Sequence, residues 1–146
     1  MQPPELPPNE EFRYCAELRT RWSDDDAQLV LNNAVYLTLF EEARLHYFGD
    51  LELIEQGVFP FVLAQTNVRF VAPGRGGRAV QVRVRTTRLG RTSMEQVYQA
   101  RDAETGEVWA EAESLLVGWD TPGRRKAPWS DRFRAAVSQF EGGELA

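Results

Sequence analysis

The sequence predicts an α+β domain: a five-stranded antiparallel sheet wrapped around one long helix, with a short helix near the C-terminal end. Two observations predict it. A single strongly helical apolar segment stands early in the chain, from Ala34 to Phe48, and almost everything from Phe61 to Trp119 then reads as strands. One helix cannot cover both faces of five strands, so the sheet must curve around it. The remaining edges and outer face are left to a partner subunit.

Met1 to Asn9 carries four prolines and is expected to be an extended, mobile tail. From Phe12 to Trp22 apolar and charged residues alternate, as in a half-buried strand. The helix follows, with Asn32 or Asn33 as N-cap, Gly49 as stop, and Tyr36, Leu37, Phe40, Ala43, Tyr47 and Phe48 on its oily face. Glu42 and His46 lie on the far face, and Leu51 to Gln56 is expected to continue as a short helical turn. Strands over 62–70, 80–86, 94–101 and 107–119 come next, the last two joined by a hairpin loop at Asp102–Gly106. Ser130 can cap a short helix that Phe133, Val137 and Phe140 dock and Gly142 ends. The organisation is therefore a tail (1–10), one domain (11–120) and a C-terminal loop and helix (121–146), in keeping with the single core that 146 residues can build.

No apolar run approaches the ~20 residues that span a membrane, and the acidic, Pro-rich start does not read as a signal peptide. The lone Cys15 has no partner for an internal disulfide and sits in a strand without a nearby His, which reads as structural. A cytoplasmic protein is expected.

The chemistry concentrates between Trp22 and Phe48. Asp24-Asp25-Asp26 stands a few residues ahead of the positive end of a buried helix, which suits a catalytic acid, whereas a solvated acidic turn is the plainer alternative. A calcium loop would need a glycine at its sixth position and an acid at its twelfth, and neither is present. His46 is the only histidine and lies on the polar face, so neither a His-centred triad nor a zinc site is expected, and no metal is assigned.

Asp24-Asp25-Asp26-Ala27, Asn32-Asn33-Ala34-Val35-Tyr36 and Glu41-Glu42-Ala43-Arg44 stand in the order and spacing of a D-x-D-A turn, an N-N-x-x-Y helix start and an E-E-A-R helix body. The segment thereby resembles the acyl-CoA thioesterases of the hotdog fold, in the 4-hydroxybenzoyl-CoA thioesterase-like branch. With the strand pattern and Thr105-Gly106-Glu107, the likeness extends from about Phe12 to Trp119. The resemblance implies hydrolysis of an acyl-CoA to free acid and coenzyme A, with Asp26 as nucleophile or general base. A helix glutamate serves some relatives, and Glu41 is the position to weigh here. Many relatives carry Gly-His where this chain has Leu29-Val30, which alters the loop without touching Asp26.

A thioester needs little acid catalysis at sulfur. It needs a carboxylate and donors for the developing oxyanion. The backbone N–H groups of Asn33 and Ala34, at the helix start, are the expected donors. Between Glu55 and Glu95 the chain has no acid yet carries Arg69, Arg75, Arg78, Arg83, Arg85, Arg88 and Arg91, although the net charge is -5. That segregation points to an anionic ligand, and the phosphates of coenzyme A fit, with Arg124, Arg125 and Lys126 as a second cluster. A solvated strand face accounts for the rest. Tyr36, Arg88, Arg91 and Ser93 are assigned to substrate binding, with no cofactor beyond the coenzyme A of the substrate. Nucleic acid is not expected, because the domain is acidic and carries no RNA-binding motif.

Trp109, Leu115, Val117 and Trp119 are read as one apolar outer face of the last strand, alternating with Glu111 and Glu113. Their burial favours a homodimer or homotetramer, and the resemblance adds that Asp26 faces acyl-CoA held partly by the neighbouring subunit. The rival reading is a non-catalytic acyl-CoA-binding or regulatory hotdog module. A cone-shaped α+β binding module would place helices before the strands, and a hotdog dehydratase would need a better-placed histidine.

Overall fold

The computed structural model describes residues 1–143 and 145. The sheet contains β1 (Tyr14–Arg19), β2 (Phe61–Phe70), β3 (Ala79–Leu89), β4 (Ser93–Asp102) and β5 (Val108–Asp120), antiparallel throughout in the order β1-β3-β4-β5-β2. A two-residue strand, β6 (Arg125–Lys126), extends β5 at its end. Helix α1 (Asn33–Asp50) lies in the concave face, and the short helix α2 (Asp131–Phe140) closes one end of it. The expected architecture is therefore the observed one. No helix among the described residues is long and apolar enough to cross a membrane.

Helix α1 buries Tyr36, Leu39, Phe40, Ala43, Arg44, Tyr47 and Phe48. These positions recur at three and four residues and define a single stripe. Leu37, expected on that stripe, falls just outside it and is exposed, as is Leu45 one turn pair further on. The helix also passes Gly49 and ends at Asp50, whose carboxylate accepts a hydrogen bond from the Tyr14 hydroxyl at 2.6 Å. The turn expected at Leu51 does not form as helix, because Glu52 takes a left-handed φ of 59°.

Opposite the helix, β3, β4 and β5 contribute Val80, Val82, Val84, Tyr98, Ala100, Ala110, Ala112 and Leu116 to the same core. The small alanines leave room for the rings of Phe40 and Tyr98, which stack at 5.2 Å. On β5 the outer face carries Glu111, Glu113, Leu115, Val117 and Trp119 together. Trp109 is corrected to the interior, 2 % exposed, because a bulge beside Ala100 and Arg101 breaks the alternation there.

A chain of buried polar groups crosses this core. Arg44 Nη1 donates to the Tyr98 hydroxyl at 3.3 Å, which donates to Gln96 Oε1 at 2.7 Å. Gln96 Nε2 donates to Thr86 Oγ1, itself 3.0 Å from the Tyr47 hydroxyl. The chain ends at Glu141, the residue closing α2, whose Oε2 accepts from Tyr47 at 3.1 Å and from the Thr86 N–H at 2.6 Å. Thr86 sits at a bulge in β3. The glutamate thereby satisfies a backbone donor near the irregular stretch and anchors α2 to the sheet.

Burial pushes the Glu141 carboxyl above the usual 4.5, against the pull of its Thr86 and Tyr47 hydrogen bonds and of the Arg85 and Arg13 charges. A carboxyl raised in the folded state contributes its stability below the ordinary value and loses it as pH rises through the shifted one. Glu141→Ala should cost ~1–3 kcal/mol at pH 4, because Thr86 N–H loses its partner, and measurably less at pH 8. Urea unfolding of both proteins at the two pH values checks the sign.

Candidate active site

The start of α1 is fixed by two loops locked to each other. Thr20, at the end of β1, donates from Oγ1 to the Arg75 carbonyl at 2.8 Å and accepts from the Arg78 N–H at 3.0 Å. The three adjacent aspartates then take three different roles. Asp24 is buried, accepting the Arg21 N–H at 2.7 Å and the Arg21 guanidinium at 2.9 and 3.0 Å. Burial would raise its carboxyl, but the Arg21 hydrogen bonds and charge outweigh that and hold it below the usual range. Asp25 Oδ1 accepts the Gly76 N–H at 2.7 Å and pins the second loop.

Asp26 closes a tight turn. Its N–H donates to the Val30 carbonyl at 2.8 Å, and its Oδ1 accepts the Gln28 N–H at 2.7 Å. Among the described residues the other carboxylate oxygen has no hydrogen-bond partner. Leu29, in that turn, adopts a left-handed φ of 60°. The backbone thus takes the shape that a glycine would favour, with a leucine in place, and the side chain points outward, 80 % exposed. Val30, where relatives carry histidine, lines the groove beside Asp26 instead.

Asp26 and Asn33 stand at a groove of about 340 Å³ whose apolar walls include Leu31, Tyr36, Phe70, Val71 and Pro73. Asn32 is the N-cap, and its Oδ1 accepts the Ala34 N–H at 3.0 Å. Ala34 is therefore corrected as an oxyanion donor, because the cap already occupies its N–H. The Asn33 N–H has no hydrogen-bond partner among the described residues and is the donor left at the helix start. Tyr36 forms the floor at 2 % exposure, edge-on to Phe70 at 5.4 Å. Burial pushes its hydroxyl up to about 12, against the Gly74 backbone, so it stays a neutral phenol.

The structure does not bring the other assigned residues to this groove within one chain. Arg88, Arg91 and Ser93 lie at the β3–β4 turn, whereas the groove adjoins the loop leading into the start of β3. At the ordinary strand rise those ends are roughly 30 Å apart. Arg88 pairs with Glu95 at 3.2 Å, and Ser93 turns its carbonyl to the Trp129 indole N–H. Arg91 lines a separate groove with Trp129 and Arg134, a residue the sequence reading passed over because only tertiary packing sets it beside the turn. Arg124, Arg125 and Lys126 are exposed around β6. Glu41 is exposed on α1 and does not line the groove. Cys15 is exposed on β1, its thiol pushed up by partial burial and by Glu17. Among the described residues no group of three or more His, Cys, Asp or Glu side chains could hold a metal ion.

The sequence profile of the thioesterase-like superfamily matches residues 20–137, a span holding both the groove and the β3–β4 turn. The chain belongs to that superfamily. It is a thioester hydrolase of the hotdog fold. It is 32 % identical to a thioesterase from Thermus thermophilus solved with coenzyme A and zinc, with a TM-score of 0.79 over 92 % of this chain and 99 % of that one. A 1,4-dihydroxy-2-naphthoyl-CoA thioesterase from Synechocystis shares the fold at 23 % identity, with a TM-score of 0.75 over 85 % of this chain and 94 % of that one. A putative thioesterase from Pseudomonas aeruginosa is 27 % identical, with a TM-score of 0.76 over 84 % and 96 %. No curated protein matches the sequence.

Gly74 leaves no room for a side chain beside the groove of this thioesterase. A Cβ there would lie 2.6 Å from the Tyr36 hydroxyl and 2.7 Å from the Trp109 ring, and its carbonyl accepts the Leu31 N–H at 2.9 Å. Gly74→Ala should therefore displace the groove floor, lowering stability by ~1–3 kcal/mol and thioester turnover with it. Parental melting and parental turnover together would show that the loop yields without disturbing the site.

Proposed function

We propose that the protein hydrolyses an acyl-CoA thioester to the free acid and coenzyme A, with Asp26 as the catalytic carboxylate. The observation that carries the reading is the open oxygen of Asp26 at a groove that Asn33 also lines, the N–H of Asn33 having no partner among the described residues. The turn holds one carboxylate oxygen and leaves the other to act on the thioester carbonyl, by direct attack or through a water. The Asn33 N–H, backed by the positive end of α1, stabilises the oxyanion as the carbonyl becomes tetrahedral. The C–S bond then breaks and the thiolate leaves readily, without a dedicated acid; where Asp26 attacks directly, water then hydrolyses the acyl–aspartyl anhydride to release the free acid and restore the carboxylate. Tyr36, Phe70 and Val71 give the acyl group an apolar seat.

The complete site needs a second copy of the chain. Strand β2 is a sheet edge of ten residues with Val62, Leu63, Phe70 and the adjoining Val71 exposed, a surface that single chains seldom leave bare. Leu37 and Leu45 of α1 add to the exposed apolar surface. If two β2 strands pair antiparallel about a twofold axis, the Phe70 end of one meets the Phe61 end of the other. Phe61 pairs with Gly118, whose N–H donates to the Thr92 carbonyl, so the β3–β4 turn travels with that end. Arg91 and Ser93 of one subunit then approach Asp26 of the other, and Arg91 is set to hold a coenzyme A phosphate.

Asp26→Asn should keep the fold and lower kcat by roughly 10²-fold or more, the scale of a lost catalytic carboxylate. Asp25→Asn, which keeps an acceptor for Gly76, should cost far less. Parental turnover by the Asp26 variant in a thiol-release assay removes the assignment.

Arg91→Glu should raise KM for acyl-CoA and spare a short thioester that lacks the nucleotide. Mixing Asp26→Asn with Arg91→Glu chains should recover activity that neither has alone, since one site in each mixed dimer is then intact. No recovery on mixing would place both residues in the service of one chain.

A further inference from the structure

The four tyrosines all pack on the core, and three of them give the hydroxyl proton to a side-chain oxygen. Tyr14 donates to Asp50 Oδ2 at 2.6 Å, Tyr47 to Glu141 Oε2 at 3.1 Å, and Tyr98 to Gln96 Oε1 at 2.7 Å. Tyr36 differs. It is only 2 % exposed, yet among the described residues its hydroxyl donates to none. Leaving such a donor without an acceptor is costly, so its place on the floor of the Asp26 groove calls for an acceptor brought in from outside.

The position of that hydroxyl is set by Gly74. Its oxygen lies 2.6 Å from the point a Gly74 Cβ would occupy, so the loop closes on it only because residue 74 has no side chain. Gly74 itself lines the groove, and its carbonyl accepts the Leu31 N–H just ahead of α1. Helical side chains lean back toward the N-terminus, and the Tyr36 ring does so here. Its tip therefore stands at the level of the helix start, near the Asn33 N–H rather than at a far end of the groove.

The groove also says which kind of acceptor fits. Among the described residues Asp26 is its only charged lining residue, and Val30, Leu31, Phe70, Val71 and Pro73 are apolar. An anionic acyl group would meet that negative charge with no cation to offset it. An uncharged oxygen meets a phenol that burial keeps protonated, pushed up to about 12.

We propose that the Tyr36 hydroxyl donates to a keto or hydroxyl oxygen on the β-carbon of the acyl group, and so selects oxygenated acyl thioesters over their unsubstituted counterparts. The inference rests on the acyl-CoA reading above. Asn33 serves the thioester carbonyl, and Tyr36 serves the chain beyond it. The β-carbon is the nearest position whose oxygen does not crowd the carbon under attack. The ring remains part of the apolar seat and its oxygen adds one polar point. A thioester without that oxygen leaves the donor unpaired, which is how such a site discriminates.

The test uses hexanoyl-CoA and β-oxohexanoyl-CoA, with kcat/KM measured for both in the parent and in Tyr36→Phe. The ratio of the two substrates within each protein, compared between proteins, cancels their different intrinsic reactivities. Tyr36→Phe should lower the oxo-to-unsubstituted ratio roughly tenfold, the scale of one hydrogen bond to a bound acceptor. A second measurement does not depend on that variant folding. In Asp26→Asn, which retains Tyr36, β-oxohexanoyl-CoA should bind roughly tenfold more tightly than hexanoyl-CoA at equilibrium. The inference is overturned if Tyr36→Phe leaves the ratio where it was, whether both substrates slow together or neither does. It is equally overturned if Asp26→Asn binds the oxo thioester no more tightly. A parent that hydrolyses neither thioester fails the acyl-CoA reading itself, and the inference falls with it.

Discussion

The structure depends on burying one helix in the hollow of one sheet. Tyr36, Phe40, Tyr47 and Phe48 enter that hollow together, each contributing ~1.5–3 kcal/mol by leaving water. Tyr47 carries a hydroxyl, as does Tyr98 on the facing sheet, and a buried hydroxyl without a partner would cancel much of the gain. Tyr47 finds Thr86 and Glu141, while the Tyr98 hydroxyl links Arg44 to Gln96. These bonds are directional where apolar packing is not. They set the rotation of α1 against β3 and β4, and they draw α2 onto the same core.

Fixing the rotation of α1 fixes what stands at its N-terminal end. Asn32 caps the first turn, and the Asn32 N–H donates to the Asp24 carbonyl, so the loop before the helix cannot slide along it. Asp24 and Asp25 are then committed to Arg21 and to Gly76. Of the three, Asp26 lines the groove, with one carboxylate oxygen left without a partner among the described residues, beside the donor that the cap leaves unused. Asp24 and Asp25 thus hold in place the turn in which Asp26 sits. Leu29 shows how firmly the turn is specified: the backbone keeps its left-handed bend without a glycine, at a cost of roughly 1–2 kcal/mol.

The two surfaces of the sheet have different fates. The concave one is filled by α1, and the edge at β2 remains apolar and long. The convex one carries Val97 and Leu115 beside glutamates and arginines, and a proline-rich segment lies over it. Proline suits that position because a segment in which four of the first nine residues lack an N–H cannot pair as a regular strand, and so covers a face without creating a new edge.

Local sequence pattern accounts for the main elements, their order and the concave architecture. Period-two alternation along β3 and β5 and the helical stripe through Tyr36, Phe40 and Tyr47 are local consequences of side-chain geometry. The D-D-D-A, N-N and E-E-A-R spacings likewise carried the family. Which Asp lines the groove is settled in three dimensions, because Asp24 is tied to Arg21 and Asp25 to a loop 51 residues away. The tertiary structure also turned Trp109 inward through a bulge, left Leu37 outside the stripe, and gave the Ala34 N–H to the cap. Arg88 and Arg91 had the right charge for a phosphate, yet their distance from Asp26 along the chain says nothing of their distance in space. A sheet carries a residue to the end of its strand, and the end is set by pairing partners that no local pattern encodes.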